Sequence, residues 1–107
     1  MKVSLDSFPN APENWNIEQA ERAAKEGGVE LSEDLWDLIR ALQEYYRKVE
    51  FPKLRQIKDA LEEHFHSRGG MKYLYQILPG GPVAEGCRLA GLKVPAGAID
   101  KSFGSAA

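Results

Sequence analysis

Beyond residue 16 the apolar positions recur three and four apart, in blocks cut by glycine and proline. No segment alternates apolar and polar side chains with the two-residue period of a strand. The first block, Ile17, Ala20, Ala23 and Ala24, is a weak stripe. Asn16 suits its N-cap, with Gln19 three residues on as a capping-box partner, and Gly27-Gly28 stops it. Val29-Glu30-Leu31 bridges to Ser32, the expected N-cap of the strongest helix, whose first turn carries Glu33 and Asp34 to complement the helix dipole. Leu35, Trp36, Ile39, Leu42, Tyr45 and Tyr46 form its core face, and Arg40, Arg47 and Lys48 lie in its later part. Pro52 suits the first position of a third helix, where its missing N–H costs nothing, and Leu54, Ile57, Leu61 and Phe65 share one face of it. Ser67-Arg68-Gly69-Gly70 ends that helix.

A two-turn helix is predicted over Met71–Leu78, with Tyr73, Leu74, Ile77 and Leu78 apolar and Pro79 halting it. Pro82 opens the last helix and Gly91 closes it. Before residue 16, Pro9, Pro12 and scattered apolar side chains predict an irregular arm or abortive hairpin, anchored to the core by Trp15. The expected fold is all-α: a small orthogonal helical bundle over residues 3–91, with an irregular N-terminal region or short hairpin and an extended C-terminal arm and extension over 92–107. At 107 residues the chain suits one domain.

Composition narrows the function classes. The chain is 43% hydrophobic and 28% charged with a net charge of −2, an ordinary balance for a globular protein and the wrong sign for a strongly basic nucleic-acid binder. No apolar run approaches the roughly 20 residues that span a bilayer, and Met1-Lys2-Val3-Ser4-Leu5-Asp6 lacks the apolar stretch of a signal peptide. One cysteine cannot build an internal disulfide framework, so a reducing, cytoplasmic setting is expected. His64 and His66, two apart, point about 200° from each other on a helix and cannot chelate one metal from one face. No metal site and no cofactor are expected, because no Cys/His/Asp spacing fits zinc and Gly69-Gly70 and Gly80-Gly81 lie between helices instead of after a strand.

Candidate chemistry therefore concentrates on Cys87. It lies near the end of the last predicted helix, in Leu78-Pro79-Gly80-Gly81-Pro82-Val83-Ala84-Glu85-Gly86-Cys87-Arg88-Leu89-Ala90-Gly91. Arg88 beside it favours a thiolate, the negative end of the helix dipole opposes one, and the competing reading is a small buried hydrophobe. Arg40, Arg47, Lys48, Lys53, Arg55, Lys58, Arg68 and Lys72 give a local cationic excess suited to phosphate or an acidic partner, or else a solvated face interleaved with Glu44, Glu50, Glu62 and Glu63.

With Lys72-Tyr73-Leu74-Tyr75 before this segment and Pro95-Ala96-Gly97 after it, the chain resembles the DsrC/TusE/DsvC family of sulfur-relay proteins over roughly residues 5–99, most strongly over 71–97. The resemblance implies a helical bundle, commonly with an N-terminal hairpin, and a C-terminal arm ending in Pro-x-Gly-Cys and one apolar residue. Here the arm reads Pro95-Ala96-Gly97-Ala98-Ile99, so alanine occupies the arm-cysteine position on which family members carry a persulfide. Cys87 occupies the upstream cysteine position, with ten residues between it and Ala98. TusE-like members carry only the arm cysteine and DsrC-like members both, whereas this chain keeps only the upstream one. It also continues through Asp100-Lys101-Ser102-Phe103-Gly104-Ser105-Ala106-Ala107, past the point where the family arm stops.

The function implied is a sulfur-relay or sulfite-reductase-associated protein that works by docking its arm on a partner, in tRNA thiolation if TusE-like or with dissimilatory sulfite reductase if DsrC-like. Cys87 is the candidate catalytic thiol, and Arg55, Lys58, Pro95, Gly97 and Ala98 are the candidate partner-binding residues. The alternatives are a regulatory or structural homologue without sulfur transfer, and a weak helix-turn-helix nucleic-acid binder, against which the negative charge and lack of a basic stripe argue.

Overall fold

A computed structural model describes residues 5–97. After a 3-10 turn at Leu5–Ser7, five helices follow: α1 (Ile17–Glu26), α2 (Glu33–Lys48), α3 (Leu54–His64), α4 (Gly70–Ile77) and α5 (Pro82–Ala90), with a second 3-10 turn at His66–Arg68. There is no strand among the described residues, and the all-helical bundle is the one that the periodicity predicts. The N-terminal region is irregular, with no hairpin among the described residues. Ala98, Ile99 and the extension 100–107 lie outside them.

The caps explain the helix starts. The Asn16 side chain accepts from the Gln19 N–H at 2.8 Å, and the Ser32 hydroxyl accepts from the Leu35 N–H at 3.4 Å, so each satisfies an orphan donor of its first turn. Pro52 does not open α3. The helix starts two residues later at Leu54 with Lys53 in the cap position, where the Lys53 N–H donates to Gln56 Oε1 at 2.8 Å. Pro52 is instead buried against the bundle, and Phe51 before it takes φ 53°. Downstream, α3 ends at His64, earlier than the glycine pair. Gly69 (φ 119°) separates the 3-10 turn from α4, which begins at Gly70.

α2 and α5 form the spine on which two apolar clusters meet. The first gathers Leu35, Leu38 and Leu42 of α2 with Ile57 and Leu61 of α3, Phe65, Leu74 of α4, Leu78, and Val83 and Cys87 of α5. The second places Phe8 and Trp15 with Ala20 and Ala24 of α1, Ile39 of α2, and Leu89 and Ala90 of α5. Fully burying one such large side chain stabilises the fold by about 1.5–3 kcal/mol. The two spine helices approach closely at Gly86, where a Cβ would stand 2.7 Å from Leu42 Cδ1 and 3.3 Å from Leu38 Cδ2. A side chain there would displace the ends of both leucines, so glycine lets the two helices lie close, and the residue after it, Cys87, is buried in the core.

Candidate functional site

The C-terminus of α5 carries the site, because every carbonyl that a helix end leaves orphaned is taken up here. Gly91, at φ 74°, closes a Schellman motif in which the Leu92 N–H donates to the Cys87 carbonyl at 2.9 Å and the Gly91 N–H to the Arg88 carbonyl at 3.4 Å. That leaves the Leu89 and Ala90 carbonyls. Trp15 Nε1 donates to the first at 2.8 Å and Gln43 Nε2 to the second at 3.0 Å. One turn further along α2, the Tyr46 hydroxyl donates to the Lys93 carbonyl at 2.7 Å, in the stretch that leads out of α5 into the arm. The root of the arm is thus held by tertiary donors from the N-terminal segment and from α2. Leu92 and Val94 are half-buried and pack against the first cluster.

Cys87 lies within this junction. It is the sixth of the nine residues of α5 and is fully enclosed at 0% exposure, with its Sγ 3.5 Å from Tyr46 Oη. A phenol has one hydrogen to donate, and a carbonyl can only accept. Because that hydrogen goes to Lys93, the contact with sulfur is an S–H donated to the Tyr46 oxygen, and the thiol is held neutral. Burial pushes the Cys87 thiol above its ordinary range. It also pushes the Tyr46 phenol up, with Cys87 adding to the effect. The thiolate-promoting role expected of Arg88 does not occur: its guanidinium turns to Glu85 Oε1 at 2.6 Å and to the Ala23 carbonyl at 2.8 Å.

The other predicted site residues sit as follows. Arg55 is exposed in the first turn of α3, and Lys58 is half-buried one turn on. Pro95 is half-buried, and Gly97, at φ 87°, is exposed with its Cβ position 3.6 Å from Leu54 Cδ2. The arm therefore passes the first turn of α3, next to the residue that precedes Arg55. Ala98 lies outside the described residues.

Two of the cations counted in the basic stretch are already engaged. Arg68 donates to Asp34 Oδ1 and to Asp37 Oδ2, each at 2.7 Å, and its guanidinium stands 4.3 Å from the centre of the Phe65 ring. Arg40 pairs with Asp37 at 3.5 Å and donates to the Ser7 carbonyl at 3.0 Å. Tyr73 donates its hydroxyl to Asp34, and His64 Nε2 lies 3.2 Å from both Asp37 oxygens. The Tyr73 hydrogen bond, then Arg68, hold the Asp34 carboxyl below its usual range. Burial pushes Asp37 up, but Arg68 and His64 outweigh it and the net shift is downward.

Gln43 and Tyr46 gave no sign in the sequence of their roles, since their partners on and after α5 are 47 residues away in each case. The EYY stretch reads only as amphipathic core. Among the described residues no three His, Cys, Asp or Glu side chains come together as a metal site, and no helix is long and apolar enough to cross a membrane. A cleft of about 510 Å³ lies between Gly27–Ser32 and Leu78–Gly80, edged by Glu30 and Glu85, and Cys87 does not line it.

The fold and site define a small helical bundle whose last helix, enclosing one thiol, leads into a C-terminal arm pinned at its root. The model of the family described as DsrC like protein matches residues 1–99, and the chain belongs to that family. It is 31% identical over 100 residues to the sulfurtransferase TusE of Salmonella typhimurium, covering 88% of this chain and 90% of that one. The TusE of Escherichia coli K12 is 26% identical over 99 residues, covering 89% of each chain. Among solved structures, that of Allochromatium vinosum DsrC is similar with a TM-score of 0.69 at 33% identity, covering 91% of this chain and 88% of that one.

Proposed function

We propose that this chain is a sulfur-relay protein of the DsrC/TusE type that acts in the cytoplasm by docking its C-terminal arm and the adjoining face of α3 on a partner. The partner class is sulfite reductase or a protein of a sulfur relay such as the one that TusE serves. Family membership supports the pathway. The observation that carries the docking reading is the position of the arm: it leaves a junction braced by Trp15, Gln43 and Tyr46 and passes Leu54, beside which stand the exposed cations Lys53 and Arg55. Arg55, Lys58, Pro95, Gly97 and Ala98 are assigned to this contact.

In the seated state Cys87 is not the point of sulfur transfer, because its thiol is enclosed and neutral, and alanine at position 98 supplies no second thiol. Binding of the full chain to purified dissimilatory sulfite reductase, and to the relay protein that hands sulfur to TusE, tests the reading. Saturable binding to either, weakened about tenfold by Arg55→Glu with Lys58→Glu, is expected. Absence of binding to both would favour a regulatory or structural role without sulfur transfer.

A further inference from the structure

Tyr46 stands between two groups that compete for its one hydrogen. The Lys93 carbonyl takes it at 2.7 Å, and the Cys87 sulfur, 3.5 Å from the same oxygen, is left to donate its own. Both partners are backed by packing that fixes them: Cys87 by the apolar cluster of Leu38, Leu42 and Ile57, and Lys93 by the flanking Leu92 and Val94. No charged side chain among the described residues acts on the sulfur, since Arg88 is turned to Glu85 and Ala23. Burial sets the thiol against ionising, and what remains of its state is set by where the phenol hydrogen points.

We infer that Tyr46 is a positioning residue that couples the seating of the arm to the acidity of the Cys87 thiol. With the arm root seated, the chain of donation runs from the S–H of Cys87 to Tyr46 Oη and from the Tyr46 O–H to the Lys93 carbonyl, and ionising the sulfur would leave the phenol with no hydrogen to offer it. When Lys93 withdraws, its carbonyl takes a hydrogen from water and the Tyr46 O–H rotates to donate to sulfur. Cys87 then loses its proton to solvent, and the thiolate is stabilised by a hydrogen bond that the seated arm denies it. The count balances: one proton leaves the thiol, and the phenol keeps its own. A partner that draws the arm away would in this way turn a silent thiol into a nucleophile. The inference rests on the docking reading for its trigger, but its chemistry belongs to the isolated chain.

The test is the pH profile of Cys87 alkylation by iodoacetamide, followed by intact mass, in a cycle of full-length chains: the parent, Val94→Ser to loosen the arm root, Tyr46→Phe, and the double variant. Val94→Ser is expected to lower the apparent pKa of the thiol and to raise its rate near neutral pH at least tenfold. In the Tyr46→Phe background the same loosening is expected to raise the high-pH plateau, which reports access, and to lower the apparent pKa by clearly less, by the part that relief of burial alone supplies. Equal pKa changes with and without the hydroxyl, or no change on loosening, would overturn the inference. Should Val94→Ser fail to fold, the parent and Tyr46→Phe decide: the Lys93 carbonyl ¹³C resonance is expected to move with the Cys87 ¹³Cβ titration in the parent and not in Tyr46→Phe, and a Lys93 carbonyl that stays flat in the parent is the contrary result. None of these readouts uses a partner, so a failure here leaves docking standing, and a failure of docking leaves the switch standing.

Discussion

At its N-terminal half α2 offers Asp34 and Asp37 to Arg68, His64 and Tyr73, whereas at its C-terminal half it offers Gln43 and Tyr46 to the end of α5 and the root of the arm. The first region is a charged cluster, half-buried but still reached by water. The second is a neutral donor chain laid against an apolar core. Ion pairs that water still reaches contribute little because water and salt screen them, while a buried neutral hydrogen bond such as that from Gln43 to the Ala90 carbonyl is costly to leave half-made. One helix therefore carries a region that ties α2 to α4 and the segment before it, and a region that controls a thiol.

The comparison is broken most severely in the apolar layer beneath the second region. Leu42→Ala removes the side chain that meets Gly86 and lies in the cluster of Cys87. It is expected to cost about 2–5 kcal/mol in urea unfolding and to speed alkylation of Cys87. Tyr46→Phe is expected to cost about 0.5–1.5 kcal/mol, because it removes the hydrogen bond to the Lys93 carbonyl, which water can replace, and the acceptor of the Cys87 S–H. Faster amide hydrogen exchange should then appear first at residues 92–94 and not in α4. Arg68→Met, at the charged region, is expected to cost about 1 kcal/mol at low ionic strength and less in high salt, with no change in the rate of Cys87 alkylation.

The smallest and most diagnostic contrast is in pH. Asp34 and Asp37 have folded-state pKa values lowered from the ordinary range, so the stability they contribute is present above their unfolded pKa of about 4 and is lost as pH falls through the folded values. Cys87 has a raised folded-state pKa, so its contribution is complete below the unfolded value of about 8.5 and is lost as pH rises through the folded one. Thermal unfolding is therefore expected to show a weakened acid limb in Arg68→Met and a flattened alkaline limb in Cys87→Ala. Exchange of the two effects would show that the assignment of the two regions is wrong.

The bundle was legible because its signals are local. Asn16 and Ser32 cap as their spacing predicts, Pro82 and Gly91 bound α5, and Trp15 anchors the N-terminal segment through the Leu89 carbonyl. Pro52 misled because a proline ahead of a helix is equally at home buried before its cap. Phe8, scattered among prolines, gave no periodic cue, yet its ring meets both Trp15 and Trp36 with centroids 5.1 and 5.7 Å away. The cations were read as one excess because sequence shows charge and not pairing: Arg68 is spoken for by Asp34 and Asp37 of a distant segment, whereas Arg40 has Asp37 three residues before it on α2, a pairing that the spacing offered. Cys87 was found from its motif. Its enclosure follows from Gly86 closing α5 on α2, which only the three-dimensional contact exposes.

Intact-mass analysis of the full-length chain after exposure to a persulfide donor, beside Cys87→Ser and Ala98→Cys, tests most directly whether sulfur handling belongs to the arm and not to the enclosed thiol. The folded parent and Cys87→Ser are expected to gain no sulfur, and Ala98→Cys to gain one atom at position 98. Stoichiometric loading of the folded parent that disappears in Cys87→Ser would contradict this and make Cys87 the carrier.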